Sequence, residues 1–184
     1  GLLAQVQSFL QTQPRLDSAA LFVLWAGGND YLQGEMNAAV PVENLTRAIA
    51  LLAEAGATKI LIANQPDLGQ VPATRNTANS TGLSELSQSH NQQLRRSIKQ
   101  LMQRHLDLKI VLFDANALYH EAIANPATFG FSNVTQTAQA VGGNPDQSLF
   151  WDGIHPTTAA HWILSDRALS ALAGDRLIPS SEAA

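Results

Sequence analysis

ALFVLWAGGNDYL, residues 20–32, is an apolar run that stops at a pair of glycines. Ala20 to Ala26 are seven consecutive apolar residues, several of them β-branched or aromatic. Such a run, ended abruptly, suits a strand covered on both faces and hence a parallel sheet. Gly27 and Gly28 lack a Cβ, so the backbone there turns sharply or approaches a ligand closely. Asn29 then stands at the carboxyl end of the strand, where open α/β sheets gather ligands and reacting groups. It is a candidate amide donor.

Outward from this strand, the chain alternates apolar strands with helical faces. Leu3, Val6, Phe9 and Leu10 share a helical side that Pro14 stops. Val42, Leu45, Ile49 and Leu52 form another, with Pro41 near its start and Gly56 past its end. Lys59 to Asn64 reads as a second buried strand, and residues 68–82 as a polar loop at the same rim. Leu83, Leu86, Leu94, Ile98 and Leu101 mark a long helix, and Ile110 to Phe113 a third strand. Three β-α units imply an α/β fold with a doubly wound parallel sheet. Ala117 to Ala124 reads as a short helix. Asn125 to Trp151 has no clear periodicity and reads as a wall facing the substrate. Pro156 opens a last helix with Ala160, Ile163, Leu164, Leu169 and Leu172 inward, and Pro179 to Ala184 are expected to fray.

Near the far end stands Trp151-Asp152-Gly153-Ile154-His155-Pro156. Asp152 and His155 lie three residues apart around a glycine, so a turn brings the carboxylate to one imidazole nitrogen and leaves the other free. That is the base and orienter of a hydrolytic triad. An isolated D-x-x-H also serves as a helix-capping turn.

Gly27-Gly28-Asn29-Asp30 and Asp152-Gly153-Ile154-His155 together resemble the G-x-N-D and D-x-x-H blocks of the GDSL lipase/esterase family, also called SGNH hydrolases. Asn64 to Gly69 and Phe129 to Val134 also look like that family, so the resemblance covers nearly the whole chain. It implies a flavodoxin-like SGNH hydrolase fold, with residues 1–184 forming its C-terminal portion as a single domain. It further implies His155 as general base, Asp152 as its orienter, Asn29 as oxyanion donor and Gly27 as the residue keeping that loop tight. The family's nucleophile lies in a G-D-S segment after its first strand, and these 184 residues contain no such segment. Nor is there the upstream glycine block of the oxyanion hole. The expectation is therefore a fold incomplete at its N-terminal side, whose Ala20–Ala26 strand becomes an edge open to self-association. The isolated chain is expected to be inactive.

Tyr31, Phe129, Phe131 and Trp151 lie near the motifs and suit an apolar acyl chain, so lipid or fatty esters are the preferred substrates. The alternative is a non-catalytic remnant that binds lipid or glycan, or is merely structural. Ser132 and Ser148 sit at no strand-to-helix elbow, and Asp30 is expected to brace its loop through backbone N–H bonds.

Composition narrows the classes further. A net charge of −4 and a pI near 5.6 argue against nucleic acid as the main partner. The absence of cysteine removes disulfides, thiolate metal sites and a Cys nucleophile. His161 has no well-spaced partners for a metal, and neither G-x-G-x-x-G nor G-x-x-x-x-G-K follows the first strand. No cofactor or metal is expected. No apolar run reaches the roughly 18–20 residues of a membrane span. Residues 1–13 lack a signal peptide, and only the resemblance suggests a secreted or periplasmic protein.

Overall fold

The computed structural model describes residues 1–175; the expected fraying of Pro179 to Ala184 lies outside them. The fold is α/β. Strands β1 (Leu21–Leu24), β2 (Lys59–Ala63) and β3 (Lys109–Phe113) form one sheet in that order. Both pairs are parallel, with Leu24 opposite Ile62 and Ile62 opposite Leu112. All three carboxyl ends therefore meet one rim.

Helices α1 (Leu2–Thr12), α3 (Ala39–Glu54) and α4 (Ser80–Arg104) cover one face; the short α2 (Gly28–Leu32) lies between β1 and α3. Strand alternation sends Leu24, Ile60 and Ile62 into a core with Leu45, Ile49 and Leu94. α3 ends where the sequence places its glycine, at Gly56 with φ 111°. The opposite face carries Leu61, Ala63, Val111 and Phe113 under α5 (Ala115–Ala124) and α7 (Thr158–Gly174).

That second layer leaves part of β1 bare. Val23 is 64 % exposed and Trp25 43 % exposed, so the strand expected to be covered on both faces is covered on one. The reason is position: β1 pairs only with β2, and among the described residues no strand pairs with its other edge. Leu169 also departs from expectation, since it is 56 % exposed on the outer side of α7. It falls roughly opposite the Ile163, Leu164 and Leu172 stripe at 100° per residue. α7 itself starts two residues after Pro156, with Thr157 as the N-cap accepting from Ala160 N–H.

The stretch from Asn125 to Trp151 is structured. β4 (Asn133–Thr137) and β5 (Ser148–Phe150) pair in parallel, joined through α6 (Ala138–Val141). Its strands escape pattern reading because β4 is polar and slips register, while β5 has three residues, all buried. No helix among the described residues is long and apolar enough to cross a membrane.

Candidate active site

Strand β5 delivers Asp152 and His155 through a closed loop in which Trp151 N–H donates to the His155 carbonyl, 2.8 Å away. Asp152 Oδ1 accepts from the backbone N–H of Ile154 at 2.9 Å and of His155 at 2.8 Å. The carboxylate also sits 2.8 Å from His155 Nδ1 through Oδ2 and 3.0 Å through Oδ1. Neutral imidazole facing a carboxylate carries its proton on Nδ1, which leaves the Nε2 lone pair free to act as a base. His155 is exposed, so that nitrogen is accessible.

The Ile154 N–H bond, with the His155 ring and backbone adding to it, pulls the Asp152 pKa from 3.8 to about 2. A carboxylate with a depressed pKa stabilises the fold above its ordinary value and loses that contribution as pH falls through the folded value. The Ile154 and His155 amide resonances are thus expected to keep their native shifts well below pH 3.8 and to move with a midpoint near 2. An NMR titration checks this; a midpoint at the ordinary carboxylate value would refute it.

Asn29 is held from beneath. Gly27 adopts φ 112°, and a Cβ there would stand 2.9 Å from His90 Cε1. Tyr31, two residues beyond Asn29, points its hydroxyl down to His90 Nδ1 at 2.8 Å. Gln65 Nε2 donates to the Ala26 carbonyl at 2.6 Å. Asn91 fixes Gln65 in turn, accepting from its N–H and donating to its carbonyl, both at 2.8 Å. His90 and Asn91 of α4 therefore tie together the loops that follow β1 and β2. Burial pushes the His90 pKa down to about 4 and raises that of Tyr31, with Asp30 and Glu35 adding to the latter, so the pair is neutral near pH 7. His90 Nε2 is buried and has no partner among the described residues.

Asn29 itself is exposed, and its side-chain amide has no hydrogen-bond partner among the described residues. Tyr31 is only 3 % exposed and supports the loop from below; one side of it borders a groove with Met36 and Leu86. The Asp30 carboxylate makes no hydrogen bond among the described residues; its carbonyl accepts from Glu35 N–H.

The Asn29 loop and the His155 loop are linked through the segment after β2. A Cβ on Gly28 would face Gln65 and Leu68, while Ala73 N–H donates to the Gly153 carbonyl at 2.9 Å. A Cβ on Gly153 would lie 2.9 Å from that of Ala73, so this contact needs glycine. Beside it lies an apolar cavity of about 110 Å³, bounded by Trp25, Tyr119, Phe131, Ile154 and Pro156. Phe131 thus stands in the cavity wall. Phe129 is partly buried under the Arg167 guanidinium, 5.9 Å from its ring centre, and Trp151 is 46 % exposed; neither lines the cavity. Trp25 and Tyr119 were not legible as lining residues. Trp25 read as strand, although its place before the glycines was a signal.

No serine hydroxyl among the described residues hydrogen-bonds His155. Ser148 is buried and its Oγ accepts from Asn133 Nδ2, whereas Ser132 is exposed beside Gln147. No three His, Asp or Glu side chains among the described residues converge as metal ligands.

The family model described as GDSL-like Lipase/Acylhydrolase matches residues 1–168. Phosphatidylcholine-sterol acyltransferase of Aeromonas hydrophila is 27 % identical, over 89 % of this chain and 64 % of that protein. GDSL esterase/lipase APG of Arabidopsis thaliana is 25 % identical, over 79 % of this chain and 52 % of that protein. Esterase EstA of Pseudomonas aeruginosa is 31 % identical, over 85 % of this chain and 27 % of that protein. The chain therefore spans between about a quarter and just under two thirds of the length of these relatives.

Proposed function

The chain belongs to the GDSL-like lipase/acylhydrolase family, and on that premise we propose that it supplies the base, its orienter and an oxyanion donor for hydrolysis of carboxylic, lipid-type esters. The observation carrying this reading is the Asp152–His155 pair with Nε2 free, tied through Gly153 and Ala73 to the rim that bears Asn29. Residues 1–184 act as one domain, the C-terminal portion of the catalytic fold.

In this mechanism His155 Nε2 takes the proton of a serine hydroxyl as its oxygen attacks the ester carbonyl. Asn29 Nδ2 donates to the resulting oxyanion, a contribution of about 3–4 kcal/mol where comparable donors were removed. His155 then returns the proton to the departing alkoxide, and water repeats the sequence on the acyl-enzyme. Asp152 holds the tautomer throughout. The serine comes from a segment outside these residues, whose strand pairs with the free edge of β1. The same reading has the protein working outside the cytoplasm, which cell fractionation would test.

Supplying the isolated chain with a chromogenic ester tests the assignment. No turnover is expected until a serine-bearing segment is added; a burst of alcohol from the chain alone, lost with His155→Ala, would overturn the missing-nucleophile reading. The second reading, a non-catalytic lipid- or glycan-binding remnant, is favoured by the lack, among the described residues, of a serine on His155. It predicts ligand binding that no added segment converts to turnover.

The bare β1 edge has a further expected result. Sedimentation of the chain alone should show concentration-dependent association, suppressed by Val23→Lys, because an apolar unpaired edge templates strand addition and a charge blocks it. A monomer at all concentrations would count against this.

A further inference from the structure

We propose that the polar cleft between α4 and α5 binds a neutral polyhydroxyl compound, a sugar or a polyol, at a site apart from Asn29 and His155. The proposal stands independently of the ester-hydrolase reading, since neither of those residues lines the cleft.

The first observation is topological. The chain leaves β2 for α4 on one face of the sheet and leaves β3 for α5 on the other. Neighbouring strands whose connections part in this way open a crevice at their carboxyl ends, which is where open α/β sheets take ligands. The crevice here measures about 400 Å³, within the range of small-molecule sites.

The floor of the cleft is fixed. Asn64, just past the end of β2, is 2 % exposed. Its Nδ2 donates to Asp114 Oδ1 at 2.7 Å and its Oδ1 accepts from the Asn116 N–H at 2.9 Å. Asp114 Oδ1 also accepts from the Ala117 N–H at 2.9 Å, capping α5. The two strand ends are thus locked together, and an occupant meets groups already in place.

The lining decides the class of occupant. Every residue that borders the cleft is polar, so an acyl chain finds no apolar surface to cover. Three carboxylates, those of Asp67, Glu85 and Asp114, stand against the one guanidinium of Arg95, which disfavours an anion; the Arg95 charge disfavours a cation beside it. What fits is a neutral ligand that both donates and accepts, and the groups for it are unused. Asp67 Oδ1 accepts from Gly69 N–H and Ser84 Oγ, whereas Oδ2 has no partner among the described residues. Arg95 Nη2 stands 3.8 Å from Asp114 Oδ2, too far for a hydrogen bond. A hydroxyl that accepts from the first and donates to the second closes that gap. Gln88 and Gln92 stand in a row with Arg95, four and three residues apart on α4. Asn116 Oδ1, buried in the cleft wall, has no donor among the described residues. Carboxylate, amide and guanidinium groups each present two polar atoms side by side, as vicinal hydroxyls do.

Binding is read by NMR on ¹⁵N-labelled protein, following the side-chain amides of Gln88, Gln92 and Asn116 and the Arg95 Nε–H. Glucose, galactose, mannose and sorbitol are titrated, with inorganic phosphate, methylammonium and hexanoate as comparisons. Saturable shifts of these signals are expected with at least one polyhydroxyl probe and with none of the comparisons. Arg95→Ala is expected to weaken that binding about tenfold, the loss of one hydrogen bond to a charged group. Arg95 is exposed, so the urea midpoint should hold; Gln92→Ala, at another exposed position, serves if Arg95→Ala does not fold. No saturable shift with any polyhydroxyl probe would overturn the proposal, as would saturation by phosphate, methylammonium or hexanoate. Shifts centred on the Asn29 and His155 loops instead, or binding that the substitution leaves intact, would overturn the placement in this cleft.

Discussion

In a preparation carrying the serine segment, His155→Ala is expected to lower ester turnover by about 10⁴- to 10⁶-fold, because members of such a triad act as a unit. The same substitution should leave the urea midpoint of the chain nearly unchanged. His155 is exposed, and among the described residues its ring hydrogen-bonds only Asp152. Surface pairs of this kind contribute about 0–1 kcal/mol. A large loss of rate with a small loss of stability separates a chemical role from a structural one. Asp152→Asn is expected to differ, because Asp152 Oδ1 also accepts two backbone N–H groups that close the loop. It should lose rate through the wrong tautomer, about 10⁴-fold, and loosen the loop as well. Equal rates for wild type and His155→Ala would refute the assignment.

Gly69→Ala is expected to be the most damaging small substitution outside the core. A Cβ at this position would stand 2.1 Å from the Ser80 carbonyl oxygen and 2.2 Å from Ser84 Oγ. Backbone cannot step aside as a side chain does. The segment is pinned from several directions: Asp67 Oδ1 accepts from Gly69 N–H at 2.9 Å and from Ser84 Oγ at 2.6 Å, and Ser80 Oγ donates to the Gly69 carbonyl at 2.8 Å. Forcing a methyl group into such packing costs about 1–3 kcal/mol or more. Urea denaturation should register it. Because the same segment carries Ala73, which bonds Gly153, the His155 amide resonance should shift too. Gly82→Ala is the control, since nothing lies within 4 Å of the added methyl. Within α4 it should be neutral or stabilise, by up to about 1 kcal/mol.

Much of this was legible in sequence because it depends on local chemistry. An apolar run ended by Gly27-Gly28 marks a strand and its rim, and Asp152 with His155 marks a turn that closes on itself. The three-strand parallel sheet follows from alternating apolar periods. What escaped is decided between elements. Whether Val23 is covered depends on which strands and helices reach it, and no pattern within 20–32 reports that. Tyr31 reads as an aromatic facing substrate because it lies beside the Gly27–Asp30 motif, yet its hydroxyl bonds His90, 59 residues away, and the ring is turned inward. Leu169 extended an apolar stripe by composition, but its angle around α7 points it outward. β4 lacked alternation because its side chains serve hydrogen bonds such as that of Asn133 to Ser148.

The strut from α4 changes how order is distributed in the molecule. β2 is paired on both sides, with Ile60 and Ile62 at 0 % exposure, whereas β1 is paired on one side and partly bare. Amide exchange should therefore be slower in β2 than in β1. Asn29 follows the end of that less protected strand. Its loop nevertheless takes its rigidity from Tyr31, Gly27 and Gln65 against His90 and Asn91, all anchored to the long helix. Fraying of β1 can thus proceed while the loop that carries Asn29 keeps its place against α4.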